Sequence, residues 1–192
     1  MEECVLKKAF LLLLTLLCAV LALSGCSASL SDEEAQAILR ELVPKSQLLN
    51  EVFWGDVMKT ADPDVKPLAS VSAGQYYEVS GDSPYHSIAA IKADAESVYT
   101  PEYAQTMYFM AFEGNDEIAC RYKEENGVLM MDITYEPFDF GTEINIESAR
   151  VKRTTADTAI VEVECVKDGE IRLRELVLCS LDGVWLLDSP TY

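Results

Sequence analysis

The chain has 192 residues, with 33 acidic and 15 basic side chains, one histidine and a net charge of −18. That balance argues against nucleic-acid binding, because phosphate contacts need clustered Lys and Arg. It also means that an anionic membrane surface would repel the chain. A basic protein or a cation fits as a partner, and solubility of an exported protein fits equally well as the reason for the charge.

The chain opens as a secretory leader. Lys7 and Lys8 precede an uncharged apolar run from Ala9 to Leu23, a length that suits a signal-peptide core better than a membrane span. Leu23-Ser24-Gly25-Cys26 follows, and small residues directly before a cysteine resemble a bacterial lipobox. The resemblance implies residues 1–25 as a lipoprotein signal peptide, with cleavage before Cys26 and a diacylglyceryl group on its thiol. Two acyl chains give stable anchoring where one gives only marginal binding. Every later apolar run is shorter than the ~20 residues of a spanning helix. The expected location is the outer face of the cytoplasmic membrane, with residues 26–30 as tether and 31–192 as one domain, a size that supports its own core.

Six cysteines are present. Cys4 and Cys18 fall in the leader and Cys26 in the lipobox, leaving Cys120, Cys165 and Cys179 and room for at most one internal disulfide. No Cys-x-x-Cys or Cys/His pair occurs, which argues against a structural metal site.

Ser31-Asp32-Glu33-Glu34 has the form of a capping box, followed by Ala35, Ile38, Leu39 and Leu42 at helical spacing. Pro44 predicts a kink or break. The stripe resumes at Leu48, Leu49, Val52 and Phe53, and Gly55 is a natural stop. Residues 55–74 have loop composition; Asp62-Pro63-Asp64 suits a turn better than a calcium loop, which would need more oxygen ligands. A short strand is expected over 75–79. Ile88, Ile91, Ala95 and Val98 define a second amphipathic helix. Thr100-Pro101 caps a third, with Tyr103, Met107 and Met110 on one face.

From Ile118 the period becomes two. Asn126-Gly127 predicts a two-residue hairpin that pairs Arg121 with Asp132, Tyr122 with Met131 and Cys120 with Ile133. At Lys167-Asp168-Gly169 charge pairing predicts a three-residue loop, with Glu164 opposite Arg172, Glu162 opposite Arg174 and Val163 opposite Leu173. In that register the apolar side switches after Glu175, which predicts a bulge there. Asp182-Gly183 turns into a last strand, 184–187. Helices followed by antiparallel strands predict an α+β fold, with N-terminal helices packed on one face of a curved antiparallel sheet.

No hydrolase elbow, phosphate loop or dinucleotide fingerprint occurs. His86, the only histidine, sits at a helix start without an identifiable nucleophile. The expectation is a protein that is not an enzyme and uses no cofactor or metal. One loop stands out as a candidate partner-binding site: Glu136, Phe138, Asp139 and Phe140 mix acids with aromatics. Alternatively both rings tuck under the sheet edge, the commoner fate of loop aromatics.

Three stretches carry a family resemblance: Leu42-Val43-Pro44-Lys45 with Phe53-Trp54-Gly55, Lys92 with residues 98–104, and the ending from Asp182 to Tyr192. Together they resemble the IseA-type inhibitors of cell-wall DL-endopeptidases and, more broadly, cystatin-like or NTF2-like bacterial lipoproteins. The resemblance implies a cystatin/NTF2-like fold in a Gram-positive organism and a partner among NlpC/P60-type peptidoglycan hydrolases. The alternative it leaves open is an NTF2-like lipoprotein that binds a small molecule.

Overall fold

The structure is a computed structural model and describes residues 29–68, 74–115 and 118–192. The leader, the lipobox and Cys26 lie outside the described residues. Leu30, assigned by sequence to the tether, is buried against the core, and its amide donates to Thr154 Oγ1 at 3.4 Å.

Helix α1 runs from Asp32 to Phe53. Ser31 caps it with its side chain on the Glu34 amide, while Glu34 accepts from the Ser31 amide at 2.9 Å. Of the kink or break expected at Pro44, the break does not occur: the residue lies inside one continuous helix. Pro44 and Arg40, whose carbonyl loses its donor, both lie on the exposed side, where water can take the missing partner's place. The opposite face buries Ala35, Leu39, Leu42, Leu49, Val52 and Phe53, together with the polar Ser46 and Asn50.

Helices α2 (Ile88–Val98) and α3 (Pro101–Tyr108) follow, the second continued by a π-helical turn over Phe109–Glu113. Ser87 and Thr100 cap them through the amides of Ala90 and Tyr103. The buried face of α3 is Ala104, Met107 and Tyr108; Tyr103 and Met110 are only half-buried, a rotation from the predicted face.

The strands form two antiparallel sheets rather than the one predicted. β1 (Tyr76–Glu78), β2 (Tyr122–Glu125) and β3 (Val128–Asp132) pair in the order β1-β3-β2. β4 (Thr142–Thr154), β5 (Thr158–Lys167), β6 (Glu170–Leu181) and β7 (Val184–Leu187) pair in sequence order. Helix α1 packs on this larger sheet, where Ala159, Val161, Val163, Leu176, Leu178 and Leu187 join one core cluster with its buried face. The arrangement is α+β. Cys120, Cys165 and Cys179 are free thiols.

Three Asx-Gly turns, with both residues at positive φ, close the β2–β3, β5–β6 and β6–β7 hairpins: Asn126-Gly127, Asp168-Gly169 and Asp182-Gly183. The first gives the predicted Tyr122–Met131 pair, and Asp132 N donates to Arg121 O at 2.8 Å. The second overturns the predicted register. Val163 faces Arg174, Glu164 faces Leu173 and Cys165 faces Arg172. The backbone match of a two-residue turn to twisted strands outweighs surface charge pairs, which contribute only about 0.2–1 kcal/mol each. Glu162 finds Lys152 of β4 instead, at 2.9 Å. No bulge follows Glu175, because Arg172, Arg174, Leu176 and Leu178 all lie on one face of an unbroken strand. The irregularities sit in β4, between Asn145 and Arg150 and between Val151 and Arg153.

The end of α1 is tied to the smaller sheet by two side chains. Tyr122 Oη donates to Val52 O at 2.6 Å, and the buried Arg121 donates to Phe53 O at 3.3 Å and to Gly55 O. A cation at a helix C-terminus also meets the negative end of the helix dipole.

Burial pushes the phenols of Tyr99 and Tyr122 up to about 12. In the unfolded chain a tyrosine titrates near 10. The folded value is raised, so this stability is fully present below about pH 10 and is lost as pH rises toward 12. Urea midpoints should fall over that window. Tyr99→Phe should flatten the fall and cost about 1–3 kcal/mol at neutral pH, because its buried partners lose a hydrogen bond. A midpoint independent of pH up to 12 would contradict this account.

Candidate functional site

The segment after β7 is held by hydrogen bonds along its length. Asp188 N donates to Val177 O at 2.8 Å, and Val177 N to Ser189 Oγ at 2.9 Å. Thr100 Oγ1 donates to Asp188. Thr191 is buried, and its hydroxyl meets Ser46 Oγ and accepts from Asn50 Nδ2 at 2.9 Å. Tyr99 Oη closes the network, 2.7 Å from Ser46 Oγ and donating to Asn50 Oδ1 at 3.3 Å. Four buried polar side chains thus satisfy one another between α1, the end of α2 and the final residues. Left unpaired, each would cost about 1–3 kcal/mol.

With Thr191 fixed, Tyr192 stacks on Phe140, ring centroids 3.8 Å apart and planes 27° apart. Phe140 in turn meets Phe138 edge-on, with ring centroids 4.7 Å apart and planes at 64°. The loop is tied to the end of α1, where Phe138 N donates to Trp54 O at 2.8 Å, and it turns on itself where Asp139 Oδ1 accepts from Gly141 N at 2.7 Å. Phe138 is 54% exposed, whereas Phe140 is half-buried. The two rings are therefore not both tucked under the sheet edge. Glu136 and Asp139 are exposed; Asp139 lines one of the clefts described next, and Glu136 lines neither.

The Phe140–Tyr192 stack separates two clefts. One, about 370 Å³, carries Glu51, Asp139 and Glu143 with Asn50 and Thr191 at its wall. The other, about 440 Å³, carries Lys167, Arg172 and Arg174 with Phe138, Cys165 and Tyr192. Among the described residues, no carboxylate side chain lines the second cleft. Arg172 is exposed and pairs with Glu170 at 2.7 Å. Arg174 is half-buried, and among the described residues its buried Nη1 has no hydrogen-bond partner. Burial, then the neighbouring Tyr192, holds the Tyr103 phenol protonated far above its ordinary range, and Arg174 pulls it the other way.

Sequence reasoning singled out the loop and missed the cations. The signal was present in Asp168-Gly169. A two-residue turn there places Arg172 and Arg174 on the face of Val163, Cys165 and Leu176, the face that carries the core. Among the described residues, no group of three or more His, Cys, Asp or Glu is placed to hold a metal ion, and no helix is long and apolar enough to cross a membrane. No protein-family model matches the chain, and no curated protein matches it significantly.

Tyr192→Ala should cost about 0.5–1.5 kcal/mol beyond the lost buried area, the usual worth of an aromatic pair. Tyr192→Phe should restore most of it, because the stack does not use the hydroxyl. Equal stability of the Ala variant and the parent in urea denaturation would show that the stack contributes nothing.

Proposed function

We propose that the protein is a lipid-anchored binding protein on the outer face of a Gram-positive cytoplasmic membrane. In this proposal it is not an enzyme; it docks on a peptidoglycan DL-endopeptidase of the NlpC/P60 type and restrains it. The observation that carries the docking surface is Phe138, which stands 54% exposed, edge-on to a Phe140 ring that is itself stacked on Tyr192. Aromatic side chains, Phe included, are enriched at protein interfaces. The anchor on Cys26 rests on the lipobox, and the hydrolase rests on the sequence resemblance to IseA-type inhibitors and their cystatin/NTF2-like relatives.

The second reading, a small-molecule-binding lipoprotein of NTF2-like type, is favoured by a different observation. The cleft of about 440 Å³ holds an unpaired guanidinium nitrogen, and convergent polar groups in a concave site mark ligand pockets.

The two readings differ in a digestion assay. Saturating protein should slow peptidoglycan cleavage by NlpC/P60-type hydrolases. If the acidic surface steers a basic hydrolase, raising the ionic strength shortens the Debye length from ~30 Å at 0.01 M to ~8 Å at 0.15 M and lowers the association rate. Neutralising Glu136 and Asp139 should slow association further. Phe138→Ala should instead speed dissociation about tenfold or more, since an anchor acts after encounter. Undiminished digestion across several such hydrolases would leave the small-molecule reading in place.

A further inference from the structure

The cation-lined cleft has chemistry of its own, which needs no hydrolase. In a chain of net charge −18, Lys167, Arg172 and Arg174 converge on one cleft that, among the described residues, no carboxylate side chain lines. The convergence is fixed by the β5–β6 register. Lys167 pairs with Glu170, Cys165 with Arg172 and Val163 with Arg174, so all three cations belong to the sheet face that carries the core. Each of the three differs in what it already holds. Arg172 is engaged by Glu170 at the rim. Among the described residues neither Lys167 nor Arg174 has an ion-pair partner, and Arg174 Nη1 is buried with no acceptor. A buried donor on a charged group without an acceptor is costly, and such groups are normally satisfied. One wall of the same cleft is aromatic: Phe138, Phe140 and Tyr192.

We infer that this cleft binds a carboxylate attached to an apolar or aromatic group, with Arg174 as the carboxylate's principal partner and the Phe138–Phe140–Tyr192 wall against the apolar part. The guanidinium offers a planar fork that matches a carboxylate in two parallel hydrogen bonds. The rings supply the rest of the contact, and the cation field admits an anion that the remainder of the surface repels. A cleft of about 440 Å³ falls in the size range of small-ligand sites. The carboxylate could belong to a free small acid or to the C-terminus of a peptide; the chemistry recognised is the same.

The test uses the full chain in a non-ionic detergent and four probes: N-acetyl-phenylalanine, its amide, the tripeptide Ala-Ala-Phe and its C-terminal amide. Binding is followed by calorimetry and by shifts of the Phe138, Phe140 and Tyr192 ring resonances. The acids should bind about tenfold or more tightly than their amides, since a charge-assisted hydrogen bond is lost. Arg174→Gln should abolish that preference, and added salt should weaken only the acids. Tighter binding of the tripeptide acid would assign the site to peptide termini, and tighter binding of the acetylated amino acid to small acids. Equal affinity for acid and amide, or binding of neither acid, overturns the inference. That comparison is made on the unaltered chain, so it decides even if Arg174→Gln does not fold. Because no hydrolase enters it, its failure leaves the proposal for the hydrolase standing, and the reverse holds too.

Discussion

The candidate site depends on the hydrogen-bond network that joins Ser46, Asn50, Tyr99 and Thr191. The first two lie on the buried face of a helix that otherwise presents alkyl and aromatic groups, Tyr99 lies just before a helix cap, and Thr191 lies at the end of the chain as given. None of the four has a solvent alternative, because all are buried. In a low-dielectric interior such a network holds its geometry closely, since each missing bond is expensive and each made bond strengthens its neighbours. A purely apolar contact would seat the same segment with less positional definition.

From that constraint the surface follows. Thr191 places Tyr192, Tyr192 stacks on Phe140, and Phe140 supports Phe138 above a loop fastened to Trp54. The same ring stack divides an acidic cleft from a cationic one. The cationic side owes its two arginines to strand register. Shifting β6 by one residue would turn Arg172 and Arg174 to the opposite face and expose Leu176 and Leu178. Core packing and site chemistry are therefore set by one turn, Asp168-Gly169.

Much of the fold is legible in the sequence because its signals are local. The Ser31 capping box, the Thr100-Pro101 start and the Asn126-Gly127 turn each depend on a few adjacent residues, and each appears as predicted. The departures arise where tertiary context outweighs a local rule. Pro44 sits inside a helix because its exposed side can be hydrated. Charge pairing at β5–β6 gives way to the backbone preference of an Asp-Gly turn, and the predicted bulge vanishes with the predicted loop. The division of strands into two sheets depends on long-range pairing that periodicity does not encode. For the site, Phe138 and Phe140 were visible as a loop motif. Their partner Tyr192 was not, since nothing near it in sequence points to residue 140. Ser46 and Asn50 likewise have the appearance of ordinary polar helix residues until Thr191 and Tyr99 are placed against them.

The measurement that tests the central claim is a double-mutant cycle on Asn50→Ala and Thr191→Val, followed by urea denaturation at neutral pH. If the network holds the final segment, the two substitutions are coupled by about 0.5–3 kcal/mol, the range for residues sharing one hydrogen-bond network. Stabilities that add independently would contradict the account, because the two side chains would then not be joined in solution.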